Sequence, residues 1–485
     1  DRGYPNAAFE AQVAPAGQPH HFDITYKITE GPEVKVSDAV ILGRGKTRLP
    51  AIEKAVNLKK DEPLSESKLL TAEGNLYELG MYDWAEVSPK KPITTQEQED
   101  VLVRLHEMKR NSIDYGIGFE VVHRGGSIPI GAVALPGLPP IGLGTKFTVS
   151  QQTFIGPRGS IEYTRRLMRG RPEELTIAVL GARLDQRVQI SYADKHFRNT
   201  NWSSLASVSG ERNTENPIYA AEIEQGTFQV QRWLDSARTR TLQLRYTYRH
   251  TSLSHIVIPD LVMPSDQNVR LSTIGGALIR DTRDKPLDAH KGMYQTVDLS
   301  ITAKGLGSQA NFARLLAQIA YYREMRPWLV WANSVRAGFE KPFSGSEVPL
   351  SERFFSGGST TLRGFPINGA GPQRPVSVCS DPSNPSTCTV ISVPVGGNML
   401  FILNSELRFP IPLHSGLGGV VFYDGGNVYS RINFKLFTQN YTNSAGIGLR
   451  YNTPVGPLRI DIGRLLSPIP GLKATQYFIT IGQAF

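Results

Sequence analysis

The sequence predicts a mainly β protein, with a 16-stranded transmembrane antiparallel β-barrel preceded by a small α+β domain. Segments of about ten residues with alternating apolar and polar side chains recur from residue 112 to the end. No window approaches the roughly 18–20 continuous apolar residues of a membrane-spanning helix. The chain also has 46 glycines and only 2 cysteines, which is typical of a large antiparallel structure with many turns.

The first 110 residues differ from everything after them. Two strands are expected first, at residues 9–13 and 21–28. A unit of order β-α-α-β-β follows, with strands at 34–42, 84–87 and 100–107 and helices at 49–56 and 65–79. We therefore expect three segments: 1–32, the end of a preceding domain; 33–110, the β-α-α-β-β unit; and 111–485, the barrel.

A glycine-rich loop at residues 43–47 resembles part of a phosphate-binding loop. That motif requires a further glycine five residues before Gly45, where the chain has Val40. The sequence therefore argues against nucleotide binding.

The repeated strands are apolar on one face and charged or amidic on the other. Residues 242–249, 297–302 and 458–463 alternate strictly in this way. Each face of such a strand must contact an environment of matching polarity. In a transmembrane barrel, lipid contacts the apolar outer face and water contacts the polar inner face. About seventeen stretches can be distinguished, two of them uncertain between residues 144 and 197. Since single-chain bacterial barrels hold an even number, we expect sixteen.

Charge and side-chain chemistry exclude several function classes. The net charge of +9 is modest for this length and is not gathered into a basic run, which argues against a nucleic-acid partner. Arg and Lys are expected to line a wet interior and the membrane rims. The histidines are scattered and no catalytic or metal-ligating set stands out, so we expect neither an enzyme nor a bound cofactor.

The most specific segment is residues 353–365, RFFSGGSTTLRGF. It resembles the signature loop of the BamA/TamA superfamily of outer-membrane assembly factors, whose Arg-Gly-Phe triplet matches Arg363, Gly364 and Phe365. Segments 281–284, 404–410, 422–428 and 446–459 resemble further motifs of that family. Residues 33–110 are similar to one of its POTRA domains, and residues 1–32 to the end of a preceding one.

The resemblance implies that Arg363 meets Glu406 and Asp424 on the barrel wall, with Phe422 packed nearby. An arginine inside a barrel needs such carboxylates, because an unpaired charge away from bulk water is costly. Gly364 would allow a close approach of the backbone. The triplet can also be interpreted as a brace that only holds the barrel together.

A weak seam is expected where the first and last barrel strands meet. Gly116 and Gly118 lie in the first strand, where glycine removes side-chain contacts between neighbours. The predicted seam comprises Tyr115, Gly116, Ile117, Gly118, Phe119, Phe478, Ile479, Thr480, Ile481 and Gly482.

By resemblance, the expected function is the assembly and insertion of β-barrel proteins into the bacterial outer membrane, with the POTRA domain in the periplasm. The expected partners are unfolded outer-membrane proteins, outer-membrane lipid, and periplasmic or inner-membrane accessory proteins bound through POTRA domains. A secretion pore of the two-partner type shares the fold and the loop and is the alternative. A passive porin would fit the barrel but not the POTRA unit.

Two cysteines lie nine residues apart in a polar stretch, residues 377–389, that follows the signature loop. This stretch is expected on the extracellular side, where two cysteines closing a small loop favour a disulfide. We therefore predict a bond between Cys379 and Cys388.

Overall fold

The computed structural model divides into two compact units, which are described separately. Unit 1 comprises Asp1–Ile113, Tyr163–Thr176 and Tyr192–His196, and unit 2 comprises Asp114–Glu162, Ile177–Ser191 and Phe197–Phe485. None of the helices in the described residues has the length and apolarity of a membrane span. The structure describes residues 2–15, 22–91, 96–123, 153–182, 185–214, 220–254, 256, 262, 264–286, 288–366, 369–379, 388–414, 416–452, 458–467, 469 and 472–481.

Unit 1 contains a hairpin and a three-stranded sheet with two helices. Strands β1 (Ala8–Pro15) and β2 (Phe22–Thr29) form the hairpin. The second part contains β3 (Lys35–Leu42), α1 (Leu49–Val56), α2 (Glu66–Glu78), β4 (Tyr82–Pro89) and β5 (Gln98–Glu107). The sheet order is β3-β5-β4, with β3 parallel and β4 antiparallel to β5. The domain limits given above stay predictions.

The helices of unit 1 pack on this sheet through one apolar core. Ile52 of α1, Leu76 of α2 and Val101 and Val103 of β5 are all fully buried in it. Burying an aliphatic side chain of this size contributes roughly 1.5–3 kcal/mol. Helix α2 begins where Ser65 Oγ accepts a hydrogen bond from the backbone N–H of Lys68 at 3.4 Å.

The loop at residues 43–47 wraps around a carboxylate of its own chain. Glu107 accepts hydrogen bonds from the backbone N–H groups of Gly45 (3.1 Å), Lys46 (3.0 Å) and Thr47 (2.8 Å). Burial alone would raise the pKa of Glu107, but these hydrogen bonds outweigh it and hold the pKa below its usual value. The backbone donors that would bind a phosphate are thus already engaged.

We expect Glu107→Gln to speed hydrogen exchange at residues 43–47 roughly fivefold at neutral pH. This corresponds to about 1 kcal/mol, the low end for charge-assisted bonds because Glu107 is only half-buried. Because the pKa of Glu107 is lowered in the folded state, its ionised form stabilises the fold at pH values above the ordinary glutamate pKa. This contribution is lost as the pH falls through the pKa of Glu107 in the folded state. The difference between wild type and variant should therefore shrink in acid.

The control is Glu86→Gln, which removes only an exposed ion pair with Arg104. It should leave exchange at residues 43–47 unchanged. Exchange in Glu107→Gln that equals wild type at neutral pH would contradict the role given to this carboxylate.

In the described residues, one antiparallel sheet of sixteen strands extends from Asn111 to Ile481, as the sequence predicts. Each strand pairs with the next along the chain, except that a two-stranded hairpin, β17–β18, intervenes between β16 and β19. The strands in chain order are β6 (Asn111–His123), β7 (Thr153–Arg166), β8 (Glu173–Ala182), β9 (Asp185–Asp194), β10 (Ser203–Asn213), β11 (Ala220–Trp233), β12 (Arg240–Ser254), β13 (Asn268–Asp281), β14 (Gly292–Thr302), β15 (Phe312–Arg326), β16 (Leu329–Pro342), β17 (Gln373–Cys379), β18 (Cys388–Pro394), β19 (Met399–Pro410), β20 (Leu417–Tyr429), β21 (Thr442–Tyr451), β22 (Leu458–Leu465) and β23 (Thr475–Ile481). A short helix, α3 (Phe434–Gln439), lies between β20 and β21.

The two faces of this sheet differ in polarity, as the alternation of apolar and polar residues along each strand predicts. In β22, Leu458, Ile460 and Ile462 are exposed, whereas Arg459 and Asp461 are buried. The apolar side chains thus form the outer surface that faces lipid, and the charged ones face inward.

The first and last strands, β6 and β23, are the two edges of the sheet. No ladder joins them in the part of the chain that the structure describes. Apolar side chains on both edges are strongly exposed, with Tyr115 at 80%, Ile117 at 91% and Ile479 at 73%. Edge strands present free backbone N–H and C=O groups that can pair with another strand.

The stretch around the two cysteines is more regular than a polar loop. Strands β17 and β18 pair in antiparallel register, and Cys379 lies directly opposite Cys388. Val376, Val378, Val390 and Ile391 favour extended backbone on either side of the serine- and proline-rich turn. The intervening residues 380–387 lie outside the described residues. The register is compatible with the disulfide, which stays a prediction.

Candidate functional site: the loop between β16 and β19

The segment at residues 353–365, called the clamp loop here, lies against the inner face of the sheet. Its Phe354 pairs with Gly397 just before β19, through an N–H to O distance of 2.9 Å. Further along, the N–H of Gly358 donates to the carbonyl of Phe365 at 3.1 Å. The loop therefore folds back on itself and presents Arg363 to the wall of the barrel.

Arg363 holds two carboxylates on adjacent strands. Its Nε and Nη2 donate to Asp424 of β20 at 2.8 and 2.7 Å, and its Nη1 donates to Glu406 of β19. The backbone N–H of Arg363 also donates to Asp424 at 3.1 Å. All three side chains are fully buried. The fork of the guanidinium fits this bidentate arrangement, which a lysine would not reproduce.

Aromatic side chains enclose the charged group. The guanidinium carbon of Arg363 lies 3.5 Å from the centre of the Phe422 ring, a cation–π contact. Phe365 is 1% exposed and packs in a cluster with Leu362, Leu400 and Ile402. The loop is therefore attached by an apolar anchor as well as by ion pairs.

Glycine and serine let the loop backbone approach the wall closely. The N–H of Gly364 donates to Ser444 Oγ of β21 at 3.1 Å. A Cβ added to Gly463 of β22 would overlap the carbonyl group of Arg363. Only glycine at position 463 leaves room for the loop at this depth.

The charged cluster is larger than the sequence indicated. Among the described residues, four arginines and three carboxylates are joined by ion pairs. Asp461 accepts from Arg450 at 2.6 Å and lies 3.1 Å from Arg459 Nε, while Arg408 donates to Glu406 at 2.8 Å. Arg459 also donates to the loop carbonyl of Ser359 at 2.7 Å.

Sequence reasoning brought Arg363, Glu406, Phe422 and Asp424 into one site, and the structure places all four together. The sequence did not indicate the residues of this charged cluster that lie on β21 and β22. The available signal was the alternation in residues 458–463, which puts Arg459 and Asp461 on the inner face.

A second ion-pair cluster holds the chain just before the clamp loop. Glu352 accepts from Arg249 of β12 at 2.9 Å and from Arg314 of β15 at 3.0 Å. Arg314 also donates to Glu340 of β16 at 2.6 Å. Strands β12 and β15 therefore hold the chain at Glu352, and β19 to β22 hold the clamp loop that follows.

The predicted seam residues lie on the two edge strands. Residues 115–119 belong to β6 and residues 478–481 to β23, whereas Gly482 lies outside the described residues. Since no ladder joins these edges among the described residues, the pairing register of the seam is not defined.

Comparison with known families gives one match that covers most of the chain. The model of the Omp85 superfamily domain matches residues 168–485. This range contains the clamp loop and every strand that carries its partners.

Individual relatives are distant but extend over the whole chain. The outer membrane protein assembly factor BamA of Nitratidesulfovibrio vulgaris is 20% identical over 466 residues, which are 96% of this chain and 52% of that protein. The crystal structure of BamA from Haemophilus ducreyi lacking POTRA domains 1–3 superposes with a TM-score of 0.70 at 18% identity, covering 100% of this chain and 90% of that one. CdiB from Acinetobacter baumannii gives a TM-score of 0.53 at 14% identity, covering 99% and 79%. The chain spans about half the length of the curated relatives it matches.

Proposed function

Because this chain belongs to the Omp85 superfamily, we propose that it folds and inserts β-barrel proteins into the outer membrane. The chain is itself an outer-membrane protein, with charged side chains inside its barrel and apolar ones towards lipid. The proposed clients are unfolded outer-membrane proteins. The activity involves no covalent chemistry, because strand pairing and burial of apolar surface supply the free energy.

The observation that carries this proposal is the pair of edge strands in a described sheet whose other strands are joined by ladders and, from β19 to β22, are also bound to the clamp loop. An incoming barrel protein consists of strands, and a strand with free N–H and C=O groups can pair with them. The ion pairs around Arg363 keep β19 to β22 in a fixed arrangement. The rigid part of the wall would then support an edge that accepts a client strand.

The sheet of unit 1 also has edge strands with which another strand could pair. This sheet has β3 and β4 as outer strands in the order β3-β5-β4. We propose that a strand of a client or of a periplasmic or inner-membrane accessory protein pairs there by β-augmentation.

A direct test is reconstitution of the chain into vesicles of zwitterionic phosphatidylcholine. A urea-denatured outer-membrane barrel protein is diluted into them, and its folded fraction is followed by heat-modifiable migration in gels. We expect several-fold faster folding than in empty vesicles or in vesicles that contain a porin. Equal rates in the three preparations would contradict the proposal.

The alternative of a secretion pore predicts a different product in the same assay. The client would cross into the vesicle interior and become protected from added protease without folding in the bilayer. The curated relatives favour insertion over this alternative, because two of them are outer membrane protein assembly factors named BamA.

A further inference from the structure

A basic cavity in unit 1 is used by none of the features described so far. Its volume is 440 Å³, within the ~300–1,000 Å³ range typical of small-molecule sites. Among the described residues, its lining includes no carboxylate and six cationic side chains, namely Lys46, Arg48, Arg110, Arg165, Arg166 and Arg169. The remaining lining residues are Leu167, Met168 and Gly170.

The backbone around this basic pocket is fixed by a strained turn. Leu167 and Arg169 both have left-handed backbone, with φ of 57° and 56°, which is strained for a residue with a side chain. The turn is held because Leu167 is buried in the core of unit 1 and the carbonyl of Gly170 accepts from the N–H of Arg48 at 2.8 Å. A Cβ on Gly170 would lie 2.6 Å from the carbonyl oxygen of Lys46, so this contact requires glycine.

Most cations of the pocket form no ion pair with a carboxylate of the described residues. Within the described part of the chain, Arg166 alone of the six forms an ion pair, with Glu174 at 3.6 Å. The nearby Glu107 already accepts from the backbone N–H groups of residues 45–47. Helix α1 also begins here, with no side-chain cap at Arg48 and no acidic residue in its first turn. The positive end of its dipole therefore adds to the field in the pocket.

The pocket includes a turn between two barrel strands, and this position indicates where an anion bound in the pocket would come from. Strand β7 ends at Arg166 and β8 begins at Glu173, so the pocket turn is a short connection between two barrel strands. Connections between barrel strands lie at a surface of the bilayer, and residues 163–176 belong to the same compact unit as residues 1–113, which are expected in the periplasm. The cations on this turn are therefore at the level of the lipid headgroups.

We propose that this basic pocket binds the phosphate of an anionic phospholipid from the periplasmic leaflet. Arginine forks match phosphate oxygens in bidentate hydrogen bonds, and three of the six cations, Arg165, Arg166 and Arg169, come from the turn between β7 and β8 and the end of β7. Such a lipid would neutralise repulsion among the cations and fix unit 1 to the membrane surface beside β7. The proposal needs the barrel to lie in a membrane but does not depend on client insertion.

The test uses the full chain in a nonionic maltoside detergent and the double variant Arg48→Gln with Arg165→Gln. Isothermal titration calorimetry measures binding of dioctanoyl phosphatidylglycerol, dioctanoyl phosphatidylcholine, inorganic phosphate and polyglutamate. We expect phosphatidylglycerol to bind wild type, and the variant to lose affinity about 30-fold, which is about 1 kcal/mol for each cation removed. Added salt should weaken the binding.

The matched control is Lys27→Gln with Lys60→Gln, which removes two exposed cations of unit 1 away from the pocket. It should bind phosphatidylglycerol as wild type does. If the double variant fails to fold, Arg169→Asn replaces it, because asparagine tolerates the left-handed backbone. This single change should weaken binding roughly fivefold.

Any one of four results with the variants, the lipids or phosphate would overturn the proposal. These are unchanged affinity in the pocket variant, equal loss in the control, equal binding of the zwitterionic lipid, and inorganic phosphate binding as tightly as phosphatidylglycerol. Tighter binding of polyglutamate than of the lipid would instead identify a docking surface for an acidic polypeptide, and would likewise overturn it.

Discussion

Arg363→Ala is expected to lower the free energy of unfolding of the barrel by about 3–5 kcal/mol, the range for breaking a buried ion pair from one side. Among the described residues, Arg363 is the one cation paired with Asp424. Its loss would leave that carboxylate buried with only neutral donors in the described structure, the amide of Asn404 at 2.8 Å and the backbone N–H of residue 363 at 3.1 Å. Glu406 would keep Arg408. The clamp loop would also lose its cation–π contact with Phe422.

Arg245→Ala is the matched control for this experiment. Arg245 of β12 also faces inward and donates to a carboxylate, Asp298, at 2.6 and 2.7 Å, but it touches no part of the clamp loop in the described structure. Because this pair retains some exposure, we expect a smaller loss, about 1.5–3 kcal/mol. Arg363→Lys should lower the free energy of unfolding less than Arg363→Ala does but should not match wild type, since one ammonium cannot hold both carboxylates.

Urea titration of the barrel, followed by heat-modifiable migration in gels, measures these losses. The client-folding assay in vesicles should show the same order of effects. Equal behaviour of Arg363→Ala and Arg245→Ala in both measurements would contradict the role of the clamp.

A disulfide across the seam is expected to abolish client insertion, and its reduction should restore it. In a background lacking Cys379 and Cys388, one cysteine is placed at Tyr115 or Ile117 and the other at Tyr477 or Ile479. These four side chains are all exposed on their edge strands. The four combinations are screened for one that oxidises, which requires Cα atoms within roughly 4.4–6.8 Å of each other. Full oxidation with unchanged insertion would show that the seam need not open.

The matched control places a disulfide between two strands that are always paired. Leu299 of β14 lies opposite Leu315 of β15, far along the sheet from either edge. Cysteines at these two positions should oxidise without any effect on insertion. Loss of activity in this control as well would indicate a general effect of oxidation.

Much of the fold follows from the sequence because alternation is a local property. Residues 242–249, 297–302 and 458–463 lie in β12, β14 and β22, and the count of sixteen strands is confirmed. The pairing of Arg363 with Glu406 and Asp424 came from a resemblance, since no periodicity connects residues 43 and 61 positions apart.

The rest of the site depends on the register between strands, which alternation does not define. Arg450 and Arg459 lie directly opposite each other on β21 and β22, an arrangement of like charges that is unfavourable by itself. Asp461, two residues beyond Arg459, forms an ion pair with each of the two arginines and offsets the repulsion between them. The sequence shows that all three face inward, but not that they are within bonding distance.

The position of the clamp loop in the chain has a consequence for how this protein itself folds. Every strand to which Arg363 and Gly364 bind, β19, β20 and β21, comes later in the sequence than the loop, and Ser359 binds Arg459 a full 100 residues away. Such distant contacts form late, because the intervening chain must first be ordered. Docking of the loop is therefore a last step that the C-terminal hairpins must precede. A chain that ends before β21 would keep Arg363, Glu406 and Asp424 but lose Ser444 and Arg459, so the loop would meet an incomplete wall.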